Sequence, residues 1–452
     1  MTPKRPFNRT GLLSAGLLCI GLHPAAADAV GDRRHVEEPR LPMVICAELK
    51  PLHGIGDAPT DGGDRKRIQE ALAACPAGES VRLDGDEDGG RFVSGPLSIP
   101  AGVALWIDRM ATLAASSDPA DYDRGAGTCG TLAARGDGCR PFITLDKADG
   151  ASIVGDGEID GQGDRDIKGR NETWWQLARR AQSEGSNQNA PRLIQANGGH
   201  DLTLYRITLH NAPNFHIFLN GVEGATIWGI RIDTPATARN TDGIDPASST
   251  DVTIADSFIR TGDDDIAIKA GRGGPTAHVS ILRNHLYSGH GMSIGSEIQS
   301  GVTDVLVRDM TLDGTTNGLR IKSDRSRGGI VEGVVYDDIC MRDTKAPLVF
   351  DSGYDPKASG DNLPDYRDVL LRDISGTGGP LIARGIDPAH PVQLRLDNVD
   401  IGADARWQLT NATVETGKRG ATPSIGNGEA AATERMDCSR RWLPFPIGYP
   451  KS

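Results

Sequence analysis

The chain has 452 residues, 57 of them glycine, only 5% of them aromatic, and a formal net charge of −12 at pH 7. So much glycine and so few aromatics argue against a large helical core, and the acidity argues against nucleic acid as a partner. Long amphipathic helical patterns are rare. Short β-branched runs bounded by Gly, Asp and Asn recur instead, which predicts an all-β fold.

Taken in chain order, the first feature is a secretory signal over residues 1–27. Lys4, Arg5 and Arg9 precede a short apolar stretch, and Ala25-Ala26-Ala27 supplies small residues for cleavage. That stretch is too short to span a bilayer, and no later stretch is long enough, so no membrane partner is expected. Export through the periplasm to the outside is the expected route. Loss of the three basic residues with the signal takes the formal charge from −12 to near −15. Cys19 would leave with the signal. Six cysteines remain, and an even count in an exported chain favours disulfides. Nearest-neighbour pairing would join Cys46 to Cys75, Cys129 to Cys139 and Cys340 to Cys438, one of 15 connectivities open to six cysteines. No CxxC or clustered Cys/His spacing suggests a zinc site.

Residues 28–452 are expected to form one unit, with an N-terminal cap region at about 46–80 and a polar tail at about 411–452. In the cap, "DGGDRKRIQEALAAC" predicts one short helix with Ile68, Ala71 and Leu72 on its apolar side. Strand-like runs follow from about residue 80 and become periodic: "LTLYRITL" at 202, "ATIWGIRI" at 225, "VTIADSFI" at 252, "VSILRNHL" at 279, "DVLVRDMTL" at 304. Most intervals are 23 to 27 residues. Such a period marks a solenoid. No repeat holds a helix, which disfavours a leucine-rich horseshoe, and a propeller blade needs a longer repeat. A right-handed parallel β-helix fits, with coils stacked ~4.8 Å apart and a helix covering the open end. Residues 163–195 interrupt the rhythm, and Trp174, Trp175 and Leu177 suggest a short helical excursion on the surface.

The period converts spacing into geometry. Asp242 lies 21 residues before Asp263, Asp264 lies 26 before His290, and His290 lies 30 before Arg320. Each gap is near one coil, so these residues and Lys322 can share one strip. Glycoside hydrolysis needs one protonated carboxyl and one carboxylate. The adjacent Asp263 and Asp264 are expected to suppress each other's ionisation and keep one protonated. Arg320 and Lys322, two apart on a strand, face one side and suit a sugar carboxylate. Taken singly, "GDDD" reads as a turn or a calcium site, His290 as a turn residue, and the cations as a solvated face. The combination in register over four coils points to a site.

"NTDGID" (240–245), "GDDDIAIK" (262–269), "GHGMSIGS" (289–296) and "RIK" (320–322) resemble, in order and spacing, the four signatures of glycoside hydrolase family 28, the polygalacturonases. The resemblance extends over about residues 46–410 and looks closest to bacterial secreted endopolygalacturonases. It implies a right-handed parallel β-helix and an inverting, endo-type cleavage of α-1,4 bonds in polygalacturonate or pectin. It implies Asp264 as general acid, Asp242 and Asp263 as the pair holding the attacking water, and His290 beside the acid. Arg320 and Lys322 match the carboxylate-binding pair, and Asn240 and Tyr354 match substrate contacts. No cofactor, no metal and a monomer are expected. Asp265, where relatives often carry cysteine or another small residue, is read as structural and turned away from Asp264. The alternatives are an exo-acting or rhamnogalacturonan hydrolase of the same family, a calcium-dependent pectate lyase, and a non-catalytic polysaccharide-binding solenoid.

Overall fold

The computed structural model describes residues 1–2, 30–52, 63–85, 89–425 and 433–446. The predicted signal, apart from its first two residues, lies outside them.

Val, Ile and Leu alternate with polar residues, so each short strand turns one face inward. Parallel pairing then stacks like on like. On one face Val81, Leu105, Ile153, Leu204, Ile227, Ile254, Ile281, Val307, Tyr336, Leu371 and Leu396 form one ladder, none more than 1% exposed. Opposite it runs an 11-stranded parallel sheet among the described residues. Its inner ladder is Ile143, Ile194, Ile217, Ile244, Ile266, Met292, Leu319, Leu348 and Leu381, all fully buried. The two ladders face each other across one continuous apolar core. The fold is a parallel β-helix, as the repeats predict.

The repeated sequence runs are not single strands in the early coils. "LTLYRITL" divides into His200–Tyr205 and Thr208–His210, with a corner between them. That corner holds a left-handed residue on coil after coil: Arg206, Gly229, Asp256, Arg283, Asp309, Asp338, Asp373 and Asn398. Asp, Asn and Gly tolerate that conformation, which explains the Asp-rich turns. Later the two faces merge into long strands such as Val302–Asp313 and Ile330–Arg342.

The cap helix forms at Gly63–Ala74, with Ile68 and Leu72 fully buried over the first coils. The excursion contains a helix at Trp174–Ser183, started by a reciprocal capping box between Thr173 and Gln176. It is docked rather than loosely placed on the surface. Trp174 and Leu177 are buried, and Trp175 Nε1 donates to the Ala212 carbonyl at 3.0 Å. Asn187–Gln188 then pairs antiparallel with Leu132–Ala133, tying the excursion to a loop closed by Cys129–Cys139. A four-residue helix at Pro119–Tyr122 carries no periodic signal in the sequence. The other disulfides are Cys46–Cys75 and Cys340–Cys438, so all three follow nearest-neighbour pairing.

Truncating a ladder residue removes contacts on two coils at once. Ile254→Ala is expected to lower the unfolding free energy by ~2–5 kcal/mol, read as a lower urea midpoint. An unchanged midpoint would contradict the packing described.

Candidate active site

The outward positions of the 11-stranded sheet carry the site. Phe218 pairs with Asp245, Ala267 with Ser293, and Ser293 with Arg320. Lys269 bridges to Ala247 one coil back, and Lys322 pairs with Asp351. Asp242, Asp263, Asp264 and His290 sit in the turns that enter these strands. Glycines let the turns stack closely. Gly289 and Gly291 take φ of +62° and +74°, and a Cβ on Gly291 would lie 2.2 Å from the Asn317 carbonyl oxygen. The "GHG" signature is therefore a backbone requirement around His290.

Asp264 is 1% exposed. Its Oδ1 accepts from the Arg320 guanidinium, and from Ser293 Oγ at 3.0 Å. Its Oδ2 accepts from Lys322 Nζ at 2.8 Å. Burial alone would raise its pKa, but Arg320, Lys322 and then Lys269 outweigh burial and hold it far below the usual carboxylate range. Asp263 is fixed by three donors: its Oδ1 accepts from its neighbour's amide at 3.0 Å and faces His290 Nδ1 at 3.1 Å, and its Oδ2 accepts from the Asn240 amide at 3.3 Å. Burial opposes ionisation here too, but the His290 hydrogen bond helps to bring the net shift downward. His290 is nearer Asp263 than Asp264, whose Oδ1 is 3.9 Å away.

Asp242 is the exception. It is 4% exposed, Lys269 Nζ donates to Oδ2 at 3.1 Å, and the buried Oδ1 has no protein partner among the described residues. Burial pushes its pKa up to about 7; Lys269 opposes this, and Asp263 and Asp264 add to it. The sequence expectation that repulsion within the adjacent pair sets their ionisation is corrected: cations and His290 from neighbouring coils outweigh it and shift both Asp263 and Asp264 downward, and burial shifts Asp242 upward instead.

Lys269 ends the "GDDDIAIK" signature, where the sequence alone assigns it no role. It also pairs with Asp245 at 3.5 Å, a fully buried acid whose pKa burial raises strongly. Asp265 points away from the cleft, as strand alternation suggests. It is fully buried and accepts from the Gly291 amide at 3.0 Å and Thr261 Oγ1 at 3.1 Å.

These groups open into a cleft of about 990 Å³. Eight arginines and lysines line it (Arg179, Arg192, Arg239, Lys269, Arg272, Arg320, Lys322, Arg327) against four carboxylates (Asp242, Asp263, Asp264, Glu297). A strongly acidic chain thus carries a locally cationic cleft. Arg192 has no signal in the sequence. It stacks over Phe218 at 4.0 Å and Phe215 at 5.1 Å, and among the described residues it makes no ion pair. Its Nη1 donates to Gln195 at 2.9 Å. Tyr354 stands exposed at the edge, with Lys322 Nζ 5.2 Å from its ring. Asn240 has φ of +56°, and its side-chain oxygen accepts from Gln188 and Arg239, so the excursion helps to fix it.

Asp263, Asp264 and His290 bring ligand atoms within 4.8 Å of one another and are the described group nearest a cation site. Arg320 and Lys322 already occupy both oxygens of Asp264, and their charge repels a second cation there. The donor set therefore does not fit a calcium-bridging lyase.

Asp242 also makes a stability prediction. An unfolded Asp releases its proton near pH ~3.9, whereas the native group holds it to about 7. Between those values the native state binds more protons, so stability falls as pH rises. Asp242→Asn removes that loss, so its unfolding midpoint relative to the parent should rise steadily from pH 4 to 7. A difference that does not vary with pH would contradict the shift.

Known proteins are similar to this chain in sequence and fold. The profile of the glycosyl hydrolases family 28 matches residues 108–418. The chain is 43% identical over 406 residues to an endo-polygalacturonase of Pectobacterium carotovorum subsp. carotovorum, covering 89% of this chain and 98% of that one. It is 37% identical to a polygalacturonase of Ralstonia nicotianae, covering 97% and 98%. Among solved structures, the polygalacturonase from Erwinia carotovora ssp. carotovora superposes with a TM-score of 0.79 at 42% identity, covering 85% of this chain and 100% of that one.

Proposed function

The chain belongs to glycosyl hydrolase family 28, and we propose on that footing that Asp242, Asp263 and Asp264 hydrolyse polygalacturonate by a single inverting displacement. The protein is an endo-acting, pectin-degrading glycoside hydrolase. Near-complete coverage of endo-acting relatives at 43% identity supports the endo mode over the exo and rhamnogalacturonan alternatives. The observation that carries the residue assignment is the convergence of three carboxylates from two coils with Arg320 and Lys322 in one cationic cleft.

In this mechanism Asp263, which faces His290 Nδ1 at 3.1 Å, donates a proton to the leaving glycosidic oxygen, because Asp264, to which the resemblance gives that role, has both oxygens held by cations and no proton to give. Asp242 and Asp264 hold the attacking water and take its proton. His290 fixes Asp263 in position. Arg320 and Lys322 bind the carboxylate of the sugar at the scissile bond, and Arg192 binds one farther along, two coils before Asp242. Tyr354 and Asn240 touch the sugar chain. Among the described residues no helix is long and apolar enough to cross a membrane. The three disulfides support secretion through an oxidising compartment.

Asp263→Asn should fold and bind oligogalacturonate but lose ~10²–10⁴-fold in turnover. Retention of more than about a tenth of the parent rate would reject Asp263 as the acid. Arg192→Gln should lower kcat/KM on polygalacturonate roughly tenfold or more, the worth of a charge-assisted contact. The loss should shrink on methyl-esterified polymer. Equal losses on both polymers would reduce Arg192 to a support for the phenylalanines.

A further inference from the structure

Of the carboxyl oxygens on Asp242, Asp263 and Asp264, only Oδ1 of Asp242 has no hydrogen-bond partner among the described residues. Asp264 accepts on both oxygens, from Arg320 and Ser293 on one and from Lys322 on the other. Asp263 meets the Asp264 amide and His290 on one oxygen and the Asn240 amide on the other. Asp242 is held through a single oxygen, Oδ2, which accepts from Lys269 Nζ at 3.1 Å. It keeps an acceptor to spare. An attacking water needs such an acceptor at a fixed place, because a misplacement of about 1 Å can cost on the order of 10²-fold in rate.

Lys269 is placed to do the fixing. It follows the strand Ile266–Ile268, and its backbone is pinned on both sides. Its amide donates to the Pro246 carbonyl at 2.8 Å, and its carbonyl accepts from the Ser248 amide at 3.1 Å and Thr276 Oγ1 at 2.6 Å. The side chain is 12% exposed, with Nζ 5.0 Å from the centre of the Phe215 ring. Nζ also meets Asp245 Oδ2 at 3.5 Å. Asp245 is fully buried, and neither of its oxygens has a hydrogen bond among the described residues. Lys269 is therefore the cation that both acids depend on.

A count of charges separates Lys269 from the other cations of the strip. Arg320 and Lys322 share one carboxylate, Asp264, so positive charge is left over for a sugar carboxylate. Lys269 serves two carboxyl groups and has none left over. A substrate anion is drawn to the first pair and gains nothing at Lys269. Resting on the reading of Asp242 as a holder of the attacking water, we propose that Lys269 is a positioning residue: it fixes Asp242 through Oδ2, leaves Oδ1 for the water, and binds no part of the sugar chain. Asp245 is the second anchor, which keeps Nζ from swinging toward a bound galacturonate.

The ammonium also favours the ionised form of Asp242, the form that accepts the water's proton. The other charged groups facing Asp242 are Asp263, Asp264 and Lys322 on later coils, Asp245 on the strand that follows it, and Arg192 and Arg239 along the cleft. The His216 ring meets its backbone carbonyl at 3.1 Å. All of these stay in place when Lys269 is replaced, so a change in the ionisation of Asp242 reports on Lys269.

Steady-state kinetics of Lys269→Met, Lys269→Arg and Lys269→Ala on polygalacturonate test the proposal. Lys269→Met should lower kcat ~10-fold or more, with KM within about threefold of the parent's. Its acid limb in the kcat profile should move up by about one pH unit or more, because the lost cation had lowered the pKa of the carboxylate it held. Lys269→Arg keeps the charge, so its acid limb should match the parent's while kcat falls part of the way. Ethylammonium added to Lys269→Ala should restore kcat and return the limb. A raised KM at parental kcat, with the defect shrinking on methyl-esterified polymer, would make Lys269 a substrate cation and overturn the proposal. A lowered kcat with an unmoved limb and no rescue by the amine would leave a structural role only and overturn it as well. If circular dichroism shows Lys269→Met unfolded, Lys269→Arg decides: a moved limb or an unchanged kcat overturns the proposal. Asp242→Asn keeps the two readings apart, since parental turnover in that variant would remove Asp242 itself from the reaction.

Discussion

Four carboxyl groups, Asp242, Asp245, Asp264 and Asp265, are buried on two adjacent coils, none more than 4% exposed. A low-dielectric wall cannot hold four bare negative charges there, and the rest of the site follows from how the fold answers that constraint. Asp265 is turned from the cleft and bonded to Gly291 and Thr261. Asp242 and Asp245 share Lys269, and burial shifts both upward. Asp264 is the one fully compensated by cations from later coils, and it is the one left ionised. Neighbouring residues of one type thus acquire opposite pKa shifts from the coils above and below them.

The same stacking reconciles the acidity of the chain with an acidic polymer. The formal charge of −12 is spread over the whole surface, while the cleft gathers eight cations against four carboxylates. Ionic screening limits the reach of the distant negative charges to roughly 8–10 Å at ordinary salt. A carboxylate inside the cleft therefore responds mainly to the groups that line it.

The solenoid was legible because its core positions recur at a nearly constant interval, and because "NTDGID", "GDDDIAIK", "GHGMSIGS" and "RIK" lie about one coil apart. The cap helix was legible from Ile68 and Leu72. The docking of the 163–195 excursion was not, since only the folded chain brings Trp175 to the Ala212 carbonyl. Lys269 could have been found: it follows Ala267 at the alternation that links Arg320 to Lys322. Arg192 could not be singled out, because its role depends on Phe215 and Phe218, a coil away in space. The directions of the pKa shifts differ from the sequence expectation for a related reason. Two adjacent aspartates announce repulsion in the sequence, but the guanidinium that reverses it is 56 residues farther along.

A wall of carboxyl groups with opposite pKa shifts, facing cations that suit an acidic sugar, is suited to a displacement in which one acid gives a proton as another takes one from water. Such a displacement requires inversion at the sugar carbon, since no carboxylate attacks it. The most direct measurement is early-time proton NMR of the reducing ends released from polygalacturonate. Under inversion the β-anomer appears first and the α-anomer grows in only by mutarotation. A first-formed α-anomer would mean a covalent intermediate and would rule out the single displacement.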